Sequence, residues 1–338
     1  MITVTSDTLS TFRQTNQLIC AEALRRGFRV TVPVLGSPLI TIEPGDTRQP
    51  LHIFSATPPT TSFAAAAQAD NKFASYQAFK AANLPVFPTI LVQKANEDQA
   101  IEEALKWGAV IAVKPLDAAH GDGVTVGVKD KEGLKIALTK AYEASSSADK
   151  ALLQPVYTNP VDLRILCIDY TFVAAVRRIP ARVVGDGTHT IQQLITIENS
   201  QHYRGERYIA RLATIDVNEA RAHLSDDTFT NYIPQLGEEI SVLGKANYGS
   251  GGETENITEL LPAWLIEIAE QAAKAANLPL CGIDIFVASP PHPVSTIEEL
   301  NPIVNEVNKC PSLYIHQHPT NNEGTPVTEV FIEYLLSL

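Results

Sequence analysis

The stretch Ala112-Val-Lys-Pro-Leu-Asp-Ala-Ala-His-Gly-Asp-Gly-Val124 (AVKPLDAAHGDGV) connects two strand-like segments through a loop with glycines at positions 121 and 123. Glycine allows positive φ angles and lets backbone N–H groups approach an anion closely. Lys114 stands at the end of an apolar strand, where its ammonium group can reach the same anion. The stretch therefore predicts a phosphate-binding loop, and a plain β-hairpin turn beside a surface lysine is the alternative.

The segments around this loop predict the architecture of the middle of the chain. The loop is neither GxxxxGK[ST] nor GxGxxG, so it lacks the two common nucleotide-binding fingerprints. Apolar periodicity predicts helices over 72–82, 97–107 and 131–145, and strands over 86–91, 109–114, 124–128 and 151–156. Alternating strands and helices with an inserted hairpin predict a compact α+β lobe over residues 69–158.

The flanking sequence predicts a smaller first part and a larger last part. Residues 1–68 predict a small N-terminal α/β domain, with a helix over 8–27 that ends at Gly27 and strands over 28–34 and 51–54. Residues 159–338 predict strands over 163–168, 172–179, 281–287 and 303–307, and helices over 262–277 and 325–336. The polar segment 198–235 predicts a mobile connection within this last part.

Two apolar strands near the C-terminus carry polar residues at positions suited to a metal. Asp284 interrupts the run CGIDIFV, where a charge is costly unless it is paired. Glu306 and Asn308 are two residues apart and therefore lie on one face of their strand. Asp284, Glu306 and Asn308 form an all-oxygen set, which favours Mg²⁺ over zinc.

Arginines in the preceding strands offer a second interpretation of these carboxylates. Arg164, Arg177 and Arg178 could pair with them as buried structural ion pairs. The same guanidinium groups could instead stabilise a transferring phosphoryl group. The sequence alone leaves both interpretations open.

The composition restricts the class of protein. The chain has 338 residues and a net charge of −12, which argues against nucleic-acid binding as its main role. Its four cysteines are scattered, with no zinc-site spacing, and are expected to be buried thiols. We see neither a signal peptide nor an apolar run of about 18 residues, so we expect a cytoplasmic protein that does not associate with a membrane.

Several motifs taken in order resemble the ATP-grasp superfamily of carboxylate–amine ligases, over about residues 69–338. The branch that they resemble contains cyanophycin synthetase and the glutathione-forming domain of bifunctional glutathione synthetases. The matching strings are NKFASYQAFKAANLPVFPT, VKPLDAAHGDGVTVGV, LLQPVYTNPVDLRILCID, VRRIPARVVGDGTHTIQQLI, NYGSGGETENIT, GIDIF and VNEVNKCPSLYIHQHPT. The resemblance implies an α+β ATP-grasp fold in which two α+β lobes clasp ATP, preceded by the small N-terminal domain.

The resemblance also implies a role for individual residues. Lys72 and Lys114 would contact ATP phosphate, and His120, Gly121, Asp122 and Gly123 would form the loop that closes over it. Gln154, Pro155 and Val156 would line the adenine, and Asp162 would contact the ribose. Arg178, with Arg164, would stabilise the transferring phosphate or an acyl phosphate. Asp284, Glu306 and Asn308 would hold Mg²⁺, and Asn247, Gly251 and Gly252 would form a substrate loop.

The sequence departs from the family pattern in three respects: at Tyr76, at Gln154 and in the run KCPSLYIHQHP. Tyr76 stands where a second lysine is common, and Gln154 stands where an acidic hinge residue is usual. Ser312 and His316 lie where substrate-side residues vary, so the resemblance does not carry specificity across.

We therefore expect an ATP- and Mg²⁺-dependent ligase that joins amino acids or small peptides through an acyl phosphate. A non-catalytic nucleotide-binding subunit and an enzyme that stops at phosphorylation are the alternatives. The resemblance leaves a homodimer as an open expectation.

Overall fold

The computed structural model describes residues 1–45, 49–117, 123–146 and 149–338. The first part of the chain forms a four-stranded antiparallel sheet in the order β1-β2-β3-β4, with helix α1 packed on it. Its elements are β1 (Ile2–Thr3), α1 (Gln14–Arg25), β2 (Arg29–Val32), β3 (Leu39–Glu43), β4 (Leu51–Phe54) and α2 (Phe63–Asp70).

Helix α1 is amphipathic, and this sets its place in the fold. Ile19, Cys20 and Ala23 recur at helical spacing and are fully buried. Gly27 follows with φ of +78°, a left-handed conformation that ends the helix as predicted. A separate 3₁₀ turn, Ser6–Thr11, precedes α1, so the single helix predicted over 8–27 is two elements.

The second part contains a four-stranded antiparallel sheet in the order β5-β8-β6-β7. Helices α4 and α5 cover it with apolar side chains that include Ile101, Leu134 and Leu138. Its elements are α3 (Lys72–Ala81), β5 (Ile90–Gln93), α4 (Glu97–Leu105), β6 (Ile111–Pro115), β7 (Thr125–Val128), α5 (Lys131–Ala144) and β8 (Lys150–Pro155).

A five-stranded antiparallel sheet in the order β15-β10-β9-β16-β17 forms the centre of the third part. Helix α9 packs against one face, while α1 and α12 pack against the other. Its strands and covering helices are β9 (Val161–Ile168), β10 (Thr171–Ile179), β15 (Glu253–Asn256), α9 (Ala263–Ala275), β16 (Leu280–Val287), α10 (Ile297–Leu300), β17 (Ile303–Asn308), α11 (Tyr314–Gln317) and α12 (Val327–Ser337).

The segment between β10 and β15 is a folded unit, and the prediction of a mobile connection over 198–235 is wrong. Ile191, Ile195, Phe229 and Val242 are among the side chains of its own buried cluster. The prediction failed because short apolar positions are scattered among many polar ones. The elements are β11 (Arg182–Val184), α6 (Ile191–Asn199), β12 (Arg204–Gly205), β13 (Leu212–Ala213), α7 (Val217–Leu224), α8 (Asp226–Asn231) and β14 (Glu239–Ser241).

One predicted strand lies elsewhere. The sequence predicts a strand over 86–91, whereas β5 spans Ile90–Gln93. Pro85 and Pro88 lack the N–H group that a ladder needs, and the carbonyl of Pro85 accepts instead from Val304 N at 2.7 Å. The segment before β5 therefore contacts the central sheet at β17.

The predicted limits at residues 68 and 158 remain a proposal. Helix α2 (Phe63–Asp70) runs through the first limit, and its Ala65 packs with the core beneath α9. Within the described ranges, no helix combines the length and the apolar character that crossing a bilayer requires.

Candidate active site

One face of the central sheet changes from apolar to charged along the strands. Leu166, Ala174 and Leu280 occupy its apolar end, where they pack against α1 and α12. Beyond them on the same face, Arg164 pairs in register with Asp284, and Arg178 pairs with Asp162. Because side chains on one face of a strand recur every second residue, these charged residues form a continuous patch.

Asp284 is the centre of this patch. Its carboxylate accepts from Arg164 Nε, from Arg164 Nη2 at 3.0 Å and from Arg178 Nη2 at 2.8 Å. Burial alone would raise the pKa of Asp284, but the two guanidinium groups hold it below its usual value. Asp284 therefore forms ion pairs with arginines, one of the two arrangements that the sequence left open. A metal at this carboxylate would compete with the arginine donors.

Asp162, for which a ribose contact was expected, belongs to the same network. It accepts from Arg178 Nε at 3.0 Å and from Arg178 Nη2 at 2.7 Å. Burial raises the pKa of Asp162 to about 6, and Asp284 adds to that rise against the attraction of Arg178. Arg177 does not join this network; it pairs instead with Glu255 at 2.7 Å.

Gly282, in the CGIDIF string, leaves room for the side chain of Arg164. A Cβ at this position would lie 2.7 Å from Arg164 Cδ and 3.1 Å from Pro311 Cβ. Glycine is therefore needed for Arg164 to lie flat on β16 and reach Asp284. Gly282 is visible in the sequence, but the need for a glycine there follows only from the register between β9 and β16, which places Arg164 beside it.

Strand β17 forms the edge of the charged patch. Glu306 pairs in register with Asp284, and Asn308 pairs with Gly282. The Nδ2 atom of Asn308 is buried and has no hydrogen-bond partner among the described residues. The register thus brings together the predicted oxygen set Asp284, Glu306 and Asn308 along two neighbouring strands.

This set fits Mg²⁺ only with help from other oxygens. Among the described residues, no group of three or more His, Cys, Asp or Glu side chains could hold a metal ion. Mg²⁺ is commonly bound by one or two carboxylates together with substrate phosphates. Glu306 and Asn308 match that donor chemistry, whereas Asp284 is already neutralised by arginine.

A cleft between the second sheet and β17 connects the predicted phosphate lysines to this edge. Its lining includes Lys72, Lys114, Gln154 and Glu306. Lys114 Nζ donates to Asn305 Oδ1 at 3.0 Å across the cleft. Burial lowers the pKa of Lys114 to about 8, although Glu306 favours its charged form.

Asn305 is a residue that the sequence did not single out. It is the extra residue of a β-bulge, since Asp284 pairs with Glu306 while Ile285 pairs with Val304. The bulge turns Asn305 toward Lys114 without moving Glu306 from its place opposite Asp284. No pattern in the string VNEVN predicts this irregularity.

The predicted adenine end of the cleft lies at the end of β8. Gln154 is 8% exposed, and its Nε2 donates to Thr89 Oγ1 at 2.8 Å. Its Oε1 is buried and has no hydrogen-bond partner among the described residues. The N–H of Val156 donates to Val110 O at 2.8 Å and Pro155 has no N–H, so neither residue offers a backbone donor to a ligand.

The predicted phosphate loop is described only at its two ends. His120, Gly121 and Asp122 lie outside the described residues. Gly123 has φ of +70°, and a Cβ there would clash with Ala144 and would lie 2.8 Å from Pro115 Cγ. At the other end, Asp117 accepts from Ser145 Oγ at 2.7 Å. Both ends of the loop are therefore tied to the end of α5.

The predicted substrate loop closes on itself beside β10. Asn247 Oδ1 accepts from Gly249 N at 3.0 Å, and Asn247 O accepts from Gly252 N at 3.1 Å. Gly251 has φ of +91°. A Cβ at Gly252 would lie 2.8 Å from Ile179 O, so this loop packs tightly against the strand that carries Arg178.

The two variable substrate-side positions have different surroundings. Ser312 Oγ is 3.4 Å from Thr15 Oγ1, at the contact with α1. His316 is 1% exposed, and neither ring nitrogen has a hydrogen-bond partner among the described residues. Burial, with a smaller contribution from Arg164, lowers the pKa of His316 to about 3, so the ring is neutral.

Comparisons with known proteins cover most of this architecture. The chain is 30% identical to cyanophycin synthetase from Trichormus variabilis over 230 residues, which is 67% of this chain and 24% of that protein. It is 28% identical to the glutathione biosynthesis bifunctional protein GshAB from Enterococcus faecalis over 235 residues, 68% of this chain and 30% of that protein. The crystal structure of a bifunctional glutathione synthetase from Pasteurella multocida matches 97% of this chain and 44% of its own, with a TM-score of 0.69 and 19% identity.

The chain belongs to the ATP-grasp superfamily. The predicted α+β ATP-grasp fold is thereby confirmed. No protein-family model matches the chain. The chain spans about a quarter of the length of the cyanophycin synthetases that it matches. ATP-grasp ligases use ATP and Mg²⁺ as standard, which agrees with the cofactors expected from the sequence.

Proposed function

We propose that this ATP-grasp protein is an ATP-dependent ligase that joins the carboxylate of one amino acid or small peptide to the amine of another. The carboxylate would be activated as an acyl phosphate, and ADP and phosphate would be released. The observation that carries the proposal is the shared cleft in which Lys114 faces Glu306. Cyanophycin synthetase and the GshAB protein, to which the chain is similar, support the choice of a ligase.

Within this proposal, the edge of the central sheet handles the phosphates. Glu306 and Asn308 would hold Mg²⁺, with Asp284 directly behind Glu306. When bound, Mg²⁺ would neutralise phosphate charge and favour in-line attack. Lys114, and Lys72 in the same cleft, would add positive charge at the phosphates.

The arginines inside the sheet would act next to these groups. Arg178 lies between Asp162 and Asp284, which fix the orientation of its guanidinium group. A preorganised cation stabilises developing negative charge without reorganising during the reaction. Arg178 would therefore stabilise the transferring phosphoryl group or the acyl phosphate, and Arg164 would keep Asp284 in place.

We also propose a role for each of the three parts of the chain. Residues 69–158 would supply the nucleotide-binding lobe, and residues 159–338 would supply the Mg²⁺ set and the substrate loops. Residues 1–68 would act as the preceding small domain, packed against α12 and the central sheet. The amine and carboxylate substrates would be small molecules.

Release of ADP and of phosphate across a panel of amino acids and dipeptides tests this function. A ligase releases both products only when a carboxylate and an amine are present together. An enzyme that stops at phosphorylation releases ADP without free phosphate, and a nucleotide-binding subunit releases neither. The latter two outcomes would each replace the ligase proposal with the corresponding alternative.

A further inference from the structure

The cleft that contains Lys114 has two walls, which come from different parts of the chain. On one wall, strands β6 and β8 of the second sheet supply Lys114, Leu152 and Gln154. On the other wall, β17 of the central sheet supplies Asn305 and Glu306. A nucleotide that extends from Gln154 to Lys114 must therefore lie between these two walls.

Three successive residues of β17 line the cleft, namely Val304, Asn305 and Glu306. A regular strand would place the middle residue on the opposite face, because its side chains alternate. The β-bulge between the pairs Asp284–Glu306 and Ile285–Val304 interrupts this alternation. Bulges that re-aim a side chain are common next to active sites, so we expect a role for Asn305 in the cleft.

A hydrogen bond between Lys114 and Asn305 joins the two walls. The Nζ atom of Lys114 donates to Oδ1 of Asn305 at 3.0 Å, an ordinary hydrogen-bond distance. No ligand atom fits between the two groups at this separation, because even two non-bonded carbon atoms lie about 3.5–4.0 Å apart. This contact, the Lys114–Asn305 bridge, therefore closes the cleft at Lys114.

Other contacts join the same two parts of the chain without using a charged group. The N–H of Val304 donates to the carbonyl of Pro85 at 2.7 Å. The rings of Phe87 and Phe286 have their centres 6.5 Å apart. Neither contact involves the ammonium group of Lys114, so the bridge can open while the two parts of the chain stay joined.

The bridge occupies the group that is expected to bind phosphate. Burial lowers the pKa of Lys114, Glu306 opposes this effect, and Lys72 adds to it. A buried ammonium group needs an acceptor, and Asn305 supplies one in the free protein. A phosphate oxygen is ionised, so it forms a stronger hydrogen bond with an ammonium group than a neutral amide oxygen does. A nucleotide can therefore displace Asn305 from Lys114.

We propose that the Lys114–Asn305 bridge is an autoinhibitory contact, which closes the cleft in the free protein and which the phosphates of ATP replace. This inference rests on the proposed function and adds how nucleotide binding at that same site is regulated. Asn305 lowers the affinity for ATP because its amide oxygen competes with the phosphates for the ammonium group. Its effect on the nucleotide is transmitted through Lys114.

The expected size of this effect follows from the population of the open cleft. When only a fraction of the protein is competent to bind a ligand, the apparent affinity falls by that fraction. A hydrogen bond to a charged group favours the closed form over the open form by about tenfold or more. A protein without the bridge should therefore bind ATP on the order of tenfold more tightly.

Calorimetric titration of the full chain with ATP in the presence of Mg²⁺ tests the proposal. We expect Asn305→Ala to bind ATP about tenfold more tightly than the wild type. Damage to a binding site weakens binding, so a merely structural role of Asn305 would not produce this gain. Asn231→Ala removes an exposed asparagine of α8 that donates to Asp227, and this control should bind ATP as the wild type does. Equal or weaker binding of ATP by Asn305→Ala would overturn the proposal.

The same substitution in a Lys114→Met background tests whether Asn305 acts through the lysine. Lys114→Met removes both the bridge and the phosphate contact, so we expect this variant to bind ATP more weakly than the wild type. Adding Asn305→Ala should then change the affinity by less than about twofold, because the effects of the two residues are coupled. A gain in this background as large as in the wild type would show that Asn305 obstructs the nucleotide directly, and the bridge would be excluded as the cause.

These binding measurements separate the bridge from the ligase function. If the wild type binds ATP and Asn305→Ala binds it no more tightly, the bridge proposal fails and the ligase proposal stands. If Asn305→Ala binds ATP more tightly but no pair of substrates is ligated, the ligase proposal fails and the bridge proposal stands. If neither protein binds ATP, both proposals fail.

Discussion

Asp284 and Glu306 face each other on neighbouring strands of the central sheet, yet their surroundings differ. Asp284 lies on an interior strand, is 4% exposed and accepts hydrogen bonds from Arg164 and Arg178. Glu306 lies on β17, the edge strand, and lines the cleft that contains Lys114. Two carboxylates that are directly paired on neighbouring strands therefore differ: arginines neutralise Asp284, whereas Glu306 faces a cleft.

The comparison suggests two distinct roles for carboxylates that look equivalent in the sequence. Removing one member of a buried ion-pair network leaves its partners uncompensated, which mainly affects stability. Removing a carboxylate that faces a cleft mainly affects what binds there. The proposed function therefore predicts that substitutions at Asp284 mainly reduce stability, whereas substitutions at Glu306 mainly reduce activity.

The largest expected effect is on catalysis by Glu306→Gln. The substitution keeps the size of the side chain and removes the charge that would hold Mg²⁺ in the cleft. We expect ADP release to fall by at least about 10³-fold, because charge neutralisation supplies most of the rate in phosphoryl transfer. ADP release is measured by a coupled assay at saturating ATP and Mg²⁺.

The matched control for this variant is Glu298→Gln, which removes an exposed carboxylate on α10. It should keep wild-type turnover. The Glu306→Gln variant should also keep the free energy of unfolding within about 1 kcal/mol of the wild type. Wild-type turnover by Glu306→Gln would remove Glu306 from the metal set.

The next effect is on stability. Asp284→Ala leaves Arg164 buried without a carboxylate partner and deprives Arg178 of one of its two partners. We expect the free energy of unfolding to fall by about 3–5 kcal/mol, the usual cost of breaking a buried pair from one side. Urea denaturation measures this change.

Asp162→Ala sharpens the same comparison. Asp162 contacts only Arg178 in the network, and burial already raises its pKa to about 6. Its removal should therefore cost less than the removal of Asp284. An equal or larger loss for Asp162→Ala would show that Asp284 is not the centre of the network.

The sequence predicted the helices and strands of the molecule better than the way in which their side chains meet. Leu51–Phe54 is a strand as predicted, and the helix predicted over 72–82 spans Lys72–Ala81, because apolar periodicity and the Asn71 cap determine them locally. The strands that carry Asp284 and Glu306 were likewise within one residue of the prediction. Local signals were sufficient for these elements.

The pairing of side chains could not be predicted, because it depends on register. The sequence left open whether Asp284 would pair with arginines or bind metal, and only the register of β9 with β16 places Arg164 opposite it. Asn305 reaches Lys114 through a β-bulge that no sequence pattern indicates.

A moderate effect is expected from the pH dependence of nucleotide binding at Lys114. Its pKa in the free protein is lowered to about 8, so Lys114 loses its proton as the pH rises through this value. Phosphate binds the protonated form, and the affinity for ATP should therefore fall above about pH 8 by up to about tenfold per pH unit. Calorimetric titration between about pH 7 and about pH 9.5 measures this slope.

Lys114→Arg is the control for that slope, because a guanidinium group stays protonated over the whole range. We expect the affinity of this variant for ATP to change little with pH. If the wild type and the variant show the same slope, another group is responsible, and Lys114 does not contact the phosphates.

The smallest expected effect concerns the base that the cleft accepts. Gln154 Oε1 is a buried acceptor with no partner among the described residues, while its Nε2 is held by Thr89 Oγ1. The exocyclic amine of adenine would satisfy this acceptor, whereas guanine presents a carbonyl oxygen at the same position of the ring. We expect ATP to bind about 10-fold more tightly than GTP, since an unsatisfied acceptor costs about 1–3 kcal/mol. Gln154→Leu removes the acceptor and should reduce this preference to about threefold or less, mainly by weakening ATP. A preference that survives the substitution would place the base elsewhere, and the departure from an acidic hinge residue would then have no bearing on nucleotide choice.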